Sequence, residues 1–271
     1  MMFGIPIQDL LAGSVVFLIG ASIGSFLNVV ADRLPAGESL LEPPSHCPHC
    51  NRRLTPLELI PVFSYLALRG RCVQCQSGIP LRVMLVEMIM GLLAVYVWSA
   101  LGTTVVGVVV FGLSMLFMLL ALIDLEHGIV PDIVVYPGIV AALLLAPWWN
   151  EIGIARTFLG SSSPWYLLLG SVAGAAIGAG LFAAIILLRP GSMGWGDVTM
   201  AALLGLVNGM PGTFVVLFMA IISGGIIGAG LLLMGKRGRK QSIPFGPFLA
   251  LGGVASLLWG GSIWTWYRGF S

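Results

Sequence analysis

Long runs of apolar residues alternate with short polar segments along most of this chain. A helix needs about 20 residues to cross the hydrocarbon core of a bilayer. The runs predict eight transmembrane helices, at Leu10–Val30, Val83–Ala100, Thr104–Ile123, Ile133–Pro147, Trp165–Leu188, Val198–Val207, Thr213–Met234 and Phe245–Trp264. The pattern therefore predicts an all-α polytopic membrane protein.

The sixth and seventh of these spans are separated only by a predicted break. Residues 198–234 are apolar throughout, but they are too many for one crossing. The sequence Asn-Gly-Met-Pro-Gly at 208–212 lies inside this stretch, and Gly and Pro together mark a turn. We therefore expect two helices here, the first of them short.

The composition agrees with a membrane location. Of 271 residues, 58% are hydrophobic and only 9% are charged, whereas a soluble domain carries roughly a quarter charged residues. This excludes a disordered chain and disfavours a single soluble domain. The net charge of +2 does not indicate a nucleic-acid partner. The apolar runs indicate that the partner is the lipid bilayer.

The positive charges give the orientation, because Lys and Arg concentrate in short cytoplasmic loops. With the N-terminus outside, only Arg156 and Arg268 lie on the outer side. The inner segments then hold Arg33, Arg52, Arg53, Arg69, Arg71, Arg82, Arg189, Lys236, Arg237, Arg239 and Lys240. Residues 32–82 are therefore expected to form a cytoplasmic loop between the first two spans.

All four cysteines lie in this loop. Cys47 and Cys50 form one C-x2-C pair, and Cys72 and Cys75 form a second, with 21 residues between the two pairs. Two such pairs can supply four thiolates to a tetrahedral zinc ion, so we predict a structural zinc site. Disulfides and a thioredoxin-like redox pair are the alternatives; a reducing cytoplasm disfavours the first, and the presence of two pairs the second. His46 and His49 are close enough to substitute as ligands, but four sulfurs already close the site.

Three acidic residues lie in or beside apolar helices, where ionisable groups are costly and therefore candidates for function. They are Glu87, Asp124 and Asp197. Asp124 ends the third span and Asp197 begins the sixth, so both are expected at the cytoplasmic face. Two carboxylates that share a proton could hydrolyse a peptide, with Gly194 and Gly196 admitting an extended substrate. The alternative is that Asp124 is an interfacial residue and Asp197 a helix N-cap.

Other functional classes are less well supported. The chain has no G-x-S-x-G and no H-E-x-x-H motif, which disfavours a serine hydrolase and a membrane metalloprotease. Broken helices with buried acids also occur in ion-coupled transporters, which are one alternative. A scaffold that binds a secretion partner through the zinc loop is another.

The ordered motifs of the chain resemble those of bacterial type IV prepilin peptidases. The resemblance rests on Gly24-Ser25-Phe26-Leu27-Asn28, the two cysteine pairs, Ile60-Pro61, Leu68-Arg69-Gly70-Arg71, Asp124, Pro131-Asp132, Gly194-x-Gly196-Asp197 and Pro244-Phe245-Gly246-Pro247. It implies an intramembrane aspartic protease of the inner membrane, whose catalytic residues are Asp124 and Asp197. Together with the orientation indicated by the charges, this predicts a periplasmic N-terminus. Its substrates would be prepilins or type II secretion pseudopilins, cut after the Gly that ends a short basic leader.

The resemblance also implies a second activity, N-methylation of the new N-terminus by S-adenosylmethionine. That activity is associated with the cysteine loop and with Glu87, and pilus or type II secretion assembly machinery would be a partner. The expected division is residues 1–31 as the first helix, 32–82 as the methyltransferase-associated zinc loop and 83–271 as the peptidase core. The chain departs from the family pattern at Val83-Met84, at Val135 and at Thr199, where a lysine is usual.

Overall fold

The computed structural model describes residues 7–152, 163–191, 193–234 and 244–269. Within these ranges the regular elements are helices, and strand pairing is limited to two isolated bridges. The α-helices are α1 (Ile7–Arg33), α2 (Phe63–Ala67), α3 (Leu81–Leu101), α4 (Val105–His127), α5 (Asp132–Leu145), α6 (Trp149–Ile152), α7 (Pro164–Leu188), α8 (Trp195–Leu233) and α9 (Gly246–Arg268). Short 3-10 helices occupy Pro56–Leu59 and Ala146–Trp148. The all-α prediction is confirmed.

Six of the described helices are long and apolar enough to cross a membrane: α1, α3, α4, α7, α8 and α9. Helix α5 is also apolar, but with the turn after it the apolar helix covers only Asp132–Trp148. Large apolar side chains such as Val108, Leu144 and Leu187 are exposed on these helices. Such surfaces suit contact with lipid, which agrees with the predicted polytopic membrane protein.

Helix α8 is interrupted within the predicted segment. Gly209 has φ 59° and ψ −172°, and Met210 has φ −93° and ψ 132°, neither of which is helical. A positive φ is readily available only to glycine, so the sequence supplies the residue that this break requires. The predicted break within 208–212 is therefore confirmed.

The two parts of α8 run in opposite directions, because they meet α9 in opposite order. Before the break, later residues of α8 contact later residues of α9, so the two helices are parallel there. After the break, later residues of α8 contact earlier residues of α9, so the helices are antiparallel. The close pairs are Leu204 with Gly253, Val216 with Gly252, and Gly224 with Phe248, while Asp197 and Phe245 line the same cavity. The break thus turns the chain back on itself and leaves the start of α8 beside the start of α9.

A close contact between backbones fixes α8 against α7. A Cβ atom added to Gly205 would lie 2.4 Å from the Gly174 carbonyl oxygen, and one added to Gly174 would lie 2.5 Å from the Gly205 carbonyl oxygen. Small residues at such crossings let helix backbones approach in a membrane, where packing takes the place of the hydrophobic effect. The contact sets the position of the helix that carries Asp197.

The chain divides into two compact units, Met1–Phe111 and Gly112–Ser271. The first contains α1 to α3, the cysteine loop and the start of α4. The second contains the rest of α4 and the helices after it, and its buried core includes Phe117, Leu203 and Leu249. Each unit holds one set of the residues predicted to be functional.

Candidate functional site

Asp124 lies in the last turn of α4, and its side chain is buried. Only 5% of the residue is exposed. Gly128, with φ +66°, ends the helix, and its N–H donates to the Asp124 carbonyl oxygen at 2.8 Å. This glycine termination places Asp124 at the helix end next to the connection to α5.

The Asp124 carboxylate accepts a hydrogen bond from the start of another helix. The N–H of Gly246, the first residue of α9, donates to Asp124 Oδ2 at 2.8 Å. A Cβ atom on Gly246 would lie 2.5 Å from that oxygen. The contact therefore requires a glycine, and it fixes one orientation of the buried carboxylate.

Asp197 lies in the first turn of α8, three residues after the helix N-cap. Gly194 is that N-cap residue, so the alternative of Asp197 as the N-cap is wrong. The Asp197 N–H donates to the Gly194 carbonyl oxygen at 3.2 Å, and its carboxylate interacts with the Gly194 backbone. This is the position of the acid in a capping box, which holds the side chain at the helix start.

The two aspartates border the same cavity in the second unit. Its volume is about 630 Å³, and the two carboxylates are close enough to interact electrostatically. The lining residues are Asp124, Gly128, Ile129, Val130, Asp132, Tyr136, Met193, Gly194, Trp195, Gly196, Asp197, Thr199, Pro244 and Phe245. The arrangement combines two neighbouring carboxylates with mostly apolar walls.

The glycines around Asp197 have different surroundings. A Cβ atom on Gly196 would lie 2.8 Å from Val130 Cβ, so this glycine lets α8 pack against the α4–α5 connection. Around Gly194 the nearest such neighbour is 3.9 Å away, and the residue is exposed in the cavity wall. Thr199, where the family usually has lysine, donates its hydroxyl to the Gly196 carbonyl oxygen at 3.0 Å.

The four cysteines of the first unit form two knuckles of the same construction. In the first, the Cys47 N–H donates to the Arg52 carbonyl oxygen, and the Asn51 N–H donates back to the Cys47 carbonyl oxygen, both at 2.9 Å. Cys72, Gln76 and Ser77 repeat the pattern at 2.9 and 3.0 Å. Asn51 and Gln76 both adopt positive φ, at 54° and 57°. Each C-x2-C sequence thus forms the same tight turn.

The knuckles bring all four sulfurs together. The Sγ atoms lie within 4.8 Å of one another, with 3.7 Å between Cys47 and Cys75 and 4.0 Å between Cys50 and Cys72. A tetrahedral zinc ion with Zn–S bonds of about 2.3 Å keeps its sulfurs about 3.8 Å apart. The cysteines form no disulfide, so the disulfide alternative is wrong and the geometry is compatible with zinc.

The thiols of this cluster differ in their acidity. Hydrogen bonds from the Ser77 hydroxyl and from the backbone of Cys50 and His49 lower the pKa of Cys47 to about 5. Ser77 also lowers the pKa of Cys75. Although the Arg52 backbone stabilises the Cys50 thiolate, burial and the other three sulfurs raise the pKa of Cys50 to about 11. The four thiols therefore do not ionise together on their own, and a bound cation would favour the thiolate form of all four.

Glu87, the third of the acids in or beside apolar helices, lies in the first unit. It is in the second turn of α3, and only 5% of the residue is exposed. Its Oε2 accepts a hydrogen bond from the N–H of Val62 at 2.7 Å. The contact joins a membrane helix to the loop segment between the two knuckles.

Two of the contacts in these sites were not predicted. The sequence marks Gly246, whose N–H contacts Asp124, only weakly, as a glycine between two prolines at the start of an apolar run. Val62 carries no signal, because a β-branched residue argues against the positive φ that it adopts. Both contacts are made by backbone amides, which sequence patterns do not distinguish.

Comparison with known proteins assigns the chain to a family. Residues 18–101 match the family described as the bacterial peptidase A24 N-terminal domain, and residues 110–229 match the type IV leader peptidase family. A prepilin leader peptidase/N-methyltransferase of Aeromonas hydrophila is 36% identical over 278 residues, covering 94% of this chain and 93% of that protein. The chain belongs to the type IV leader peptidase family.

Other members of the family cover the chain to a similar extent. The proteins of the same name from Stutzerimonas stutzeri and Bacillus subtilis (strain 168) are each 30% identical to it. The first alignment covers 98% of this chain and 99% of the relative, and the second covers 94% and 97%. No solved structure matches the chain.

Proposed function

We propose that this protein is a prepilin leader peptidase and N-methyltransferase. It removes the short basic leader of type IV prepilins or type II secretion pseudopilins by cutting after glycine, and it methylates the new N-terminal residue. The observation that carries the peptidase proposal is the cavity lined by both Asp124 and Asp197, in a chain of the type IV leader peptidase family. Family membership favours this function over an ion-coupled transporter or an assembly scaffold.

The aspartate pair supports acid–base hydrolysis without a covalent intermediate. Two neighbouring carboxylates do not both ionise easily, so they hold one proton between them. The ionised carboxylate takes a proton from water as the water attacks the carbonyl carbon of the glycine. The protonated carboxyl group donates its proton to the carbonyl oxygen, which gives a gem-diol intermediate. The carboxyl group that took the proton from water then gives it to the leaving nitrogen as the C–N bond breaks, and the other carboxylate takes back a proton from a hydroxyl group of the gem-diol. The products are a leader with a terminal carboxylate and a pilin with a free amine.

The cavity walls suit an extended peptide next to an apolar helix. The exposed Gly194 leaves room beside Asp197 for the backbone of a substrate. The walls formed by Ile129, Met193 and Phe245 are apolar, as is the segment that follows the cut in a prepilin. The proposed substrate strand therefore passes Gly194 with its scissile glycine between the aspartates.

The proposed topology has eight membrane crossings. Helix α5 with its following turn is the fourth crossing, and the two parts of α8 on either side of Gly209 and Met210 are the sixth and seventh. The N-terminus is then periplasmic, and residues 32–82 and the aspartates lie at the cytoplasmic face of the inner membrane. Residues 236–240, which contribute four of the positive charges in the orientation argument, lie outside the described residues.

The proposed division of labour follows the same boundaries as the sequence analysis. The segment 1–31 carries the first helix, residues 32–82 form a zinc loop that serves methylation, and residues 83–271 contain the peptidase core. Zinc bound to Cys47, Cys50, Cys72 and Cys75 would have a structural role and stabilise the fold of the loop. A catalytic role is disfavoured, because a site closed by four sulfurs leaves no position for substrate. S-adenosylmethionine supplies the methyl group when bound. Glu87 contributes to methylation, and assembly machinery of the pilus or secretion system receives the product.

The test is the N-terminal mass of a prepilin produced together with this protein. We expect a pilin that begins directly after the leader glycine and carries one added methyl group. Mass spectrometry of the intact pilin reports both changes in one measurement. A prepilin that keeps its leader would contradict the peptidase proposal, and a shortened pilin without added mass would contradict the methyltransferase proposal.

Removal of one zinc ligand should affect methylation more than cleavage. We expect Cys47→Ser to lose bound zinc, because a structural site needs its full set of ligands. His49→Ala is the matched control, as His49 is an exposed residue of the same knuckle that is not needed for four-sulfur coordination. Metal analysis of the purified proteins, together with pilin masses, checks both. Unchanged zinc content in Cys47→Ser would contradict the assignment of this ligand.

A further inference from the structure

The loop segment between the knuckles contains a turn of a rare kind. Val62 has φ 65° and ψ −53°, and the N–H of Phe63 donates to the Pro61 carbonyl oxygen at 2.7 Å. These are the features of a γ-turn with positive φ at its central residue, a strained form. A β-branched residue in this conformation is an outlier, and it persists only where its surroundings hold it.

The surroundings that hold this turn come from the membrane helix α3. Val62 is 3% exposed, and its N–H points to Glu87 Oε2 at 2.7 Å. Glu87 takes part in no ion pair within the described residues, where the ion pairs are Arg52 with Glu58 and Arg82 with Asp32. What the carboxylate provides in this structure is an acceptor for one backbone amide.

The position of Glu87 is itself fixed by helix packing. A Cβ atom on Gly24 of α1 would lie 2.9 Å from Glu87 Cα, so the two helices touch through their backbones at this level. One turn further along α1, the Asn28 side-chain amide donates to the Val83 carbonyl oxygen of α3 at 3.3 Å. The carboxylate therefore extends from a rigid support, as a positioning residue requires.

We propose that Glu87 is a positioning residue that holds the γ-turn at Val62, and through it the loop segment required for methylation, by accepting a hydrogen bond. The inference rests on the proposed methyltransferase function and deepens it. It assigns Glu87 no proton transfer and no contact with the methyl donor. An uncharged acceptor of the same shape should then serve as well as the carboxylate.

The test compares Glu87→Gln with Glu87→Ala in the full-length protein produced with a prepilin. Glutamine retains an oxygen that accepts from the Val62 N–H, whereas alanine leaves that buried amide without a partner. We expect Glu87→Ala to lower the methylated fraction of processed pilin about tenfold or more, and Glu87→Gln to stay close to wild type. Glu38→Gln and Glu38→Ala, at an exposed glutamate of the same loop, are the matched controls and should both leave methylation unchanged.

A second measurement, the rate of trypsin cleavage, tests directly whether the loop is held in place. Arg69 and Arg71 are exposed trypsin sites close to the end of α2. We expect cutting there to accelerate in Glu87→Ala and to remain slow in Glu87→Gln. Adding Val62→Gly to Glu87→Ala should restore part of the methylation, because glycine adopts positive φ without strain and keeps the turn.

The outcomes separate this inference from the proposed function. Loss of methylation in Glu87→Gln as large as in Glu87→Ala would overturn the positioning role, because it would mean that charge or proton transfer is needed. Full methylation with unchanged trypsin cutting in Glu87→Ala would overturn it as well. If the wild-type protein methylates no pilin, the proposed function fails, and the trypsin comparison alone then decides whether Glu87 holds the loop.

Discussion

Replacement of either Asp124 or Asp197 with asparagine should abolish cleavage of a prepilin. Asparagine preserves the size of the side chain but can neither take a proton from water nor give one to the carbonyl oxygen. General acid–base groups contribute about 10² to 10⁴ in rate, so processing should fall at least about a hundredfold in each single variant. The measurement is the fraction of shortened prepilin, followed over time in membranes that contain equal amounts of enzyme.

The matched control for this experiment is Glu126→Gln. Glu126 is an exposed acid two residues after Asp124 and does not line the cavity. Its neutralisation should leave processing close to wild type, which separates the loss of a reacting carboxylate from a general loss of negative charge. Wild-type processing by both aspartate variants would show that the cavity is not the site of cleavage.

The second large effect is expected from Gly246→Ala. The new methyl group would lie 2.5 Å from Asp124 Oδ2 and 2.9 Å from its Cγ. The buried Asp124 side chain is short, so it must rotate or α9 must move away. Because a displacement of about 1 Å at a reacting group can cost about a hundredfold in rate, we expect cleavage to fall by about that factor although both aspartates remain.

Gly261→Ala, in the same helix, is the control for the second experiment. A Cβ atom on Gly261 meets no heavy atom within 4 Å, so this variant should cleave normally. The amount of each protein in the membrane distinguishes a displaced carboxylate from a failure to fold. Normal cleavage by Gly246→Ala would show that Asp124 does not need the orientation that the Gly246 N–H gives it.

The sequence predicts the parts of this molecule that depend on hydrophobicity and on strong local preferences. Apolar runs predict the long helices, and the Asn-Gly-Met-Pro-Gly sequence predicts the break at Gly209 and Met210. The paired C-x2-C motifs likewise predict the sulfur cluster. Each of these features follows from a property of consecutive residues, so neighbouring positions are sufficient to find it.

The remaining features depend on residues that are distant in the sequence. Asp124 and Gly246 are 122 positions apart, and a backbone amide such as that of Gly246 has no side chain by which a pattern could mark it. At Val62 the sequence predicts the wrong backbone conformation. Valine disfavours a positive φ, but packing and the hydrogen bond to the Glu87 carboxylate hold it there. Propensity is a weak guide where a tertiary contact determines the backbone conformation.

The two knuckles have a consequence for how the cluster acquires its ion. Each knuckle is closed by its own backbone hydrogen bonds, so each presents its two sulfurs as a pair to the proposed ion. With zinc bound as proposed to one pair, the other pair would act as a tethered chelating arm at an effective concentration on the order of millimolar. The second pair would therefore bind far more readily than two free thiols from solution, as in a chelating ligand.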